Sequence, residues 1–508
     1  MGKIKGRIRE RELNHHRHRF TQKAASGSFL SFAARVITFF LLLGCLTACT
    51  TPTASRISPP ALPHPGSLTY PPLQLHFPKA ERKQLKNGMV VYLLPDHEIP
   101  IVDVTALIRT GSVYEPQDQV GVAHLTGVVM RTGGTTSLSA DQLDEELEFH
   151  SIYLGTDINR ESGTASLSVL TKDLDKGLGL FFDVLRNPAF SQEKVNLAKD
   201  KLIESIRRKN DSPQDIAFRE FRKLLYQGDP RGNEPTIEGV KKLTRQDLVN
   251  IHERFFHPDN MIVGISGDFC PEEIMEKLED LTAEWPALPA PVPPAPIPPG
   301  RTVKSVNYIV KKIPQSIIVT GGYSVPQNHP DYFAFLILNH LLGGDGFNSY
   351  LTEEIRSNRG LAYSVGSFYT GNIDYGVSGA YCFTNSSTTI LATHLIYQIL
   401  EKMKAGEISP QKLQWAKDSI LNKFVFSFSS SEGIVSQLIT LEYRGLPSDY
   451  LDRYQDLIRA VTMEDLQRVA RTYLKPEDNI LLVLGDDEHF EQPLNQFGFV
   501  NMVNIENY

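Results

Sequence analysis

Apolar and polar positions change their spacing along this chain in a regular order. Residues 90–94 and Ile101–Ile108 are short apolar runs rich in β-branched side chains, the length and composition of strands rather than helices. Residues 121–131 carry apolar positions at helical spacing, 164–170 return to a strand-like run, 192–209 form a long helical pattern, and 261–265 close with another β-rich run. The same order recurs further on. Strand-like 303–309 and 316–319 precede helical patterns over 331–342 and 347–357. Strand-like 363–368 and 376–383 follow, then a long helical 410–427, and finally β-rich 479–484. Strands mixed with runs of helices predict α+β domains, each a mainly antiparallel sheet with helices packed on it. The repeated order predicts two duplicated domains.

Two segments break the pattern. Residues 49–75 are rich in Pro, Ser and Thr and read as a tether. Residues 285–300 contain eight prolines and read as an extended, semi-rigid linker. These breaks predict one domain over 76–284 and a second over 301–500, each of ordinary domain size.

The N-terminus belongs to neither domain. Nine basic residues precede position 36, against Glu10 and Glu12, and an apolar run from Val36 to Leu43 follows. That order is the pattern of a secretory signal over 1–48, too short to span a bilayer stably. It ends Leu46-Thr47-Ala48-Cys49, which resembles the lipobox of bacterial lipoproteins, where the cysteine is acylated and becomes the mature N-terminus. Leu42-Leu43-Gly44-Cys45 is a poorer second candidate, and an ordinary cleaved signal is the plainer alternative. Thr50 stands where an aspartate would suggest inner-membrane retention, so the expected location is the outer membrane, facing the periplasm. Loss of nine basic and two acidic residues takes the formal net charge from −7 to −14. An acidic domain pair argues against nucleic acid or anionic lipid as a partner surface. Beyond Cys49 the mature chain has only Cys270 and Cys382; they make no disulfide framework and no cysteine metal site, and both are expected to be buried.

Candidate chemistry centres on Gly121-Val122-Ala123-His124-Leu125-Thr126-Gly127-Val128-Val129-Met130 with Gly134-Thr135. This stretch resembles the signature of the insulinase, pitrilysin and mitochondrial processing peptidase family. The family carries an H-x-x-E-H helix there, two histidines on one face for zinc and a glutamate as general base. His124 stands at the first ligand position, Gly127 replaces the glutamate and Val128 the second histidine. The family's third ligand, a glutamate on a later helix, falls on Ser205, 77 residues beyond Val128, while Glu204 is one position round the helix. The resemblance therefore implies a short, bacterial-type member with a degenerate zinc site and no metal of its own. The other histidines are scattered with no two at i, i+4; no G-x-S-x-G elbow occurs; and Gly343-Gly344-Asp345-Gly346 joins two helical patterns as a turn.

The resemblance continues through 235–239, 243–248 and 256–268, and sharpens at Glu354-Ile355-Arg356-Ser357-Asn358-Arg359-Gly360-Leu361-Ala362-Tyr363-Ser364-Val365. In the family this second-domain signature supplies an arginine and a tyrosine that bind substrate across the chamber, here Arg356 and Tyr363. The plainer reading makes Arg356 a solvated helix end and Tyr363 a packed strand residue. In short members one active site can be shared between two chains, and the resemblance implies that this chain is the substrate-binding subunit of a heterodimeric zinc metallopeptidase acting on peptides in the cell envelope. Its implied partners are a zinc-bearing homologous subunit, a peptide substrate, and the membrane through the lipid on Cys49. The alternative is a structural or scaffolding lipoprotein; an active peptidase with a rewired metal site is a third reading, without visible substitute ligands.

Overall fold

A computed structural model describes residues 78–344 and 346–505. The expected signal segment, the candidate lipidation site Cys49 and the tether up to residue 75 lie outside the described residues. Two six-stranded sheets are present, both within the one compact unit Leu75–Tyr508. The first contains β1 (Glu81–Gln84), β2 (Val90–Pro95), β3 (Ile101–Ile108), β4 (Tyr153–Ile158), β5 (Gly163–Leu170) and β6 (Met261–Gly267), in the order β1-β2-β6-β3-β5-β4. The second contains β7 (Ser305–Val310), β8 (Gln315–Ser324), β9 (Ala362–Gly371), β10 (Gly376–Asn385), β11 (Ile480–Gly485) and β12 (Val500–Met502), in the order β12-β7-β11-β8-β10-β9.

Five strands correspond one to one. In each sheet a parallel pair (β2 with β6, β7 with β11) is followed by three antiparallel pairings out to an edge strand, β4 or β9. Only the sixth strand differs: β1 runs antiparallel to β2, whereas β12 runs parallel to β7. The α+β architecture is thus mainly antiparallel with one internal duplication.

The helices of the first half are α1 (Val122–Thr132), α2 (Ala140–Phe149), α3 (Leu174–Arg186), α4 (Gln192–Arg207), α5 (Pro213–Leu225), α6 (Ile237–Lys242), α7 (Arg245–Phe255) and α8 (Pro271–Thr282). Those of the second are α9 (Tyr332–Asn339), α10 (Thr389–Lys404), α11 (Pro410–Phe426), α12 (Ser431–Tyr443), α13 (Tyr450–Ala460) and α14 (Met463–Tyr473). Most pack on one face of their own sheet. Two cross over. Ile216, Ala217, Phe221 and Leu225 of α5 pack on Ile480, Leu482 and Leu484 of β11, in the second sheet. Ile434, Val435 and Ile439 of α12 pack on Tyr92, Leu94 and Ile262 of the first sheet. The crossing explains why β6 and β11 are buried at every position: Met261, Val263 and Ile265 face the helices of their own half, and Ile262 faces the exchanged helix. Gly264 of β6 lies so close to Val435 that a β-carbon there would collide with it, so the missing side chain is what lets α12 seat.

Three local expectations need revision. The helix expected over 331–342 is regular only to Asn339, then widens into a π-type turn at His340–Gly344. The pattern over 347–357 is likewise a π-type turn, Thr352–Asn358. Cys382 is buried, but Cys270 is exposed, because it is the residue capping the start of α8 and its thiol turns outward to Glu272 Oε2 at 3.1 Å.

Candidate functional site

The helix α1 starts at Gly121, whose φ of 102° lets the chain turn sharply into it. Its first amides are held by Glu115, whose Oε1 accepts from Gly121 N at 3.1 Å and Ala123 N at 2.7 Å. Burial raises the Glu115 carboxyl to about 7, opposed by those two donors. Val122, Leu125, Val129 and Met130 point into the core, while His124 is exposed, and no described residue makes a hydrogen bond or ion pair with it.

Gly127 faces the edge strand. A β-carbon there would stand 2.5 Å from Ile158 N and 2.9 Å from the Asp157 carbonyl carbon, and Thr156 Oγ1 donates to Gly127 O at 2.6 Å. The backbone of β4 therefore occupies the space a glutamate would need. Val128 is partly buried against the core. Ser205 is exposed on α4, its hydroxyl donating to Leu202 O at 2.8 Å, and Glu204 pairs with Arg207 at 3.6 Å. Among the described residues no group of three or more His, Cys, Asp or Glu side chains is placed to hold a metal ion. The residues at the zinc positions do not fit the metal: one exposed imidazole stands without a second ligand or a base.

The second half repeats this contact. His340-Leu341-Leu342-Gly343 corresponds to His124-Leu125-Thr126-Gly127, and a β-carbon on Gly343 would stand 2.5 Å from Ser367 N in the edge strand β9. His340 is buried beside Trp415, with ring centres 5.2 Å apart. The H-x-x-G repeat is a residue-level sign of the duplication that the repeated order of elements predicts.

Arg356 and Tyr363 are brought together. Gly360, at φ 64°, ends the π-type turn: its amide donates to Arg356 O at 3.1 Å and Leu361 N donates to Ile355 O at 2.9 Å, so the chain reverses into β9. That reversal sets the seven-residue interval. The Arg356 guanidinium carbon lies 4.7 Å from the centre of the Tyr363 ring and 4.8 Å from that of Phe347. Tyr363 is 81% exposed and Phe347 66%. Two ring faces thus hold a guanidinium at the surface, and it makes no ion pair among the described residues, whereas its neighbour Arg359 is engaged by Glu354 at 2.6 Å. Phe347 is a member of this site that the Arg–Tyr spacing alone does not reveal. The arrangement leaves the planar donors of Arg356 and the Tyr363 hydroxyl available to carbonyl or carboxylate oxygens.

The model described as Insulinase (Peptidase family M16) matches residues 90–236, and that described as Peptidase M16 inactive domain matches 242–420. A relative from Helicobacter pylori named zinc protease PqqE is 25% identical over 431 residues, covering 81% of this chain and 94% of its own. Another from the same organism, named non-peptidase homolog YmxG, is 22% identical over 397 residues, covering 77% and 90%. The crystal structure of a peptidase M16 inactive domain from Pseudomonas fluorescens is similar with a TM-score of 0.73 at 21% identity, covering 80% of this chain and 98% of that one. The chain belongs to the insulinase family.

Proposed function

We propose that this chain is the substrate-binding subunit of a two-chain zinc peptidase of the cell envelope, anchored by a lipid on Cys49. A homologous partner supplies zinc and general base; this chain supplies Arg356 and Tyr363. The observation that carries the reading is the asymmetry between its two halves. The zinc positions are closed by contact of Gly127 with β4, while Arg356 is held open between Phe347 and Tyr363. A purely structural role accounts for the first but not for an exposed, stacked guanidinium that makes no ion pair among the described residues. The two Helicobacter pylori relatives, one named a zinc protease and one a non-peptidase homologue, support a division of labour between related chains. In a complex, the Arg356 fork would hold a peptide carbonyl or carboxylate, and the Tyr363 hydroxyl would donate to the oxygen that gains charge as water attacks. The test is reconstitution with a homologue from the same genome that carries an intact H-x-x-E-H motif. Peptidase activity is expected only on mixing. Full activity of the homologue alone, unchanged by this chain, leaves the scaffolding alternative.

A further inference from the structure

A cavity of about 480 Å³ opens where the two halves meet the proline-rich linker. It lies between the end of β3, the β4–β5 hairpin, the β9–β10 hairpin, the C-terminal end of α12 and linker residues 292–297. The linker is strapped down beside it. Arg231, only 4% exposed, pairs with Glu161 at 2.5 Å and Asp229 at 3.0 Å and donates to Pro296 O at 2.8 Å; the Tyr114 hydroxyl donates to Pro293 O at 3.1 Å.

Those contacts engage Glu161, one of the two carboxylates in the lining. Glu161 also accepts from the Tyr375 hydroxyl at 2.7 Å, so its carboxylate is committed to a cation and a phenol. Glu442, which lies close enough to feel Arg109, is held by Arg82 at 2.8 Å and by Tyr92 at 2.9 Å. Asp374 stands at the exposed rim. Two cations lining the cavity are left over. Arg109 lies over the Tyr443 ring at 5.4 Å, and Arg444 donates to the neutral Gln327 Oε1 at 2.5 Å. Neither has an ion-pair partner among the described residues. Guanidinium forks match the two oxygens of a carboxylate or phosphate, and a half-enclosed pocket of this size with aromatic walls and a few convergent polar groups has the character of a small-molecule site.

We propose that this cavity binds a small organic anion, its carboxylate or phosphate head on Arg109 and Arg444 and its apolar body against Tyr114, Tyr443 and the proline strap. The site is separate from Arg356 and Tyr363 and does not rest on the function proposed for them. Because Arg109 and Tyr114 belong to the first half and Tyr443 and Arg444 to the second, an occupant ties the halves together.

Calorimetric titration of the full chain with phenyl phosphate, benzoate and neutral benzyl alcohol tests this. One saturable site per chain is expected for at least one anion, and the tighter anion identifies the head group. Arg109→Gln and Arg444→Gln should each weaken binding by about tenfold or more, the loss expected of one charge-assisted contact. Thr440→Trp, which fills the cavity without removing charge, should abolish binding; thermal unfolding checks that each variant is folded. Anion binding that survives Arg109→Gln unchanged, equal binding of benzyl alcohol, or no saturable binding of either anion at millimolar concentration overturns the proposal.

Discussion

Gly127 and Ile158 are in backbone contact: a β-carbon on the glycine would stand 2.5 Å from the isoleucine amide nitrogen. In a free helix Gly→Ala is favourable by about 1 kcal/mol. Here Gly127→Ala should destabilise the chain by about 1–3 kcal/mol, the usual cost of overpacking, read as a lower urea midpoint. Gly343→Ala should behave alike, because Gly343 meets Ser367 N at the same 2.5 Å. The triple variant Gly127→Glu, Val128→His, Ser205→Glu should still hold no stoichiometric zinc. One tightly bound zinc per chain in that variant would show that β4 can give way.

Tyr363→Phe separates stacking from hydrogen bonding. It keeps the ring on which Arg356 rests, so thermal stability should not change. Turnover of the reconstituted complex should fall by about 10²–10³, the usual cost of removing one donor to a developing oxyanion. Arg356→Ala should lower turnover comparably without separating the chains, and exposed His124→Ala should have little effect. His124 essential, with Arg356 and Tyr363 dispensable, would refute the shared site.

Cys49→Ser should release the protein from the membrane fraction or block its processing, as fractionation and the mature N-terminus would show. A variant that remains membrane-bound with an unchanged N-terminus argues for another anchor.

Two buried groups act on stability in opposite directions with pH. The folded pKa of Glu115 is raised from 4.5 to about 7, so its contribution is full below 4.5 and is lost as pH rises toward 7. Burial lowers His252 from 6.5 to about 4, so its contribution is full above 6.5 and is lost as pH falls toward 4. Glu115→Gln should therefore make stability climb more steeply with pH across this window, and His252→Gln should make it decline. Urea midpoints measured at several pH values check both; an unchanged slope in Glu115→Gln removes Glu115 as the source.

The two cysteines among the described residues should react unequally. Exposed Cys270 should be labelled by a maleimide in the native protein, whereas Cys382, fully buried and with its thiol pushed up to about 12, should react only on unfolding. Equal labelling rates would mean that β10 opens readily.

The order of strands and helices was legible in the sequence because apolar spacing is a local property. Ile101–Ile108, an apolar run broken by Asp103 and Thr105, is a strand whose burial alternates, with those two residues on the less buried face. The loss of the zinc set was legible too, since it is a matter of which residue types stand at Gly127, Val128 and Ser205; Arg356 and Tyr363 were singled out by the family resemblance, and it is the chain reversal at Gly360 that brings them together. Other features depend on tertiary contact. Phe347 joins Arg356 only because the π-type turn carries the arginine back to it, and Cys270 is exposed only because α8 begins there. That α5 and α12 trade sheets has no local signature. An apolar helix face shows that a helix is buried, but not under which sheet, and β6 and β11 are apolar on both faces whichever helix covers them. That choice is made by complementary surfaces far apart in the chain, as where Gly264 leaves room for Val435. The same distant contacts bring Arg109 and Arg444 to one cavity, a juxtaposition that exists only once the two halves have folded against each other.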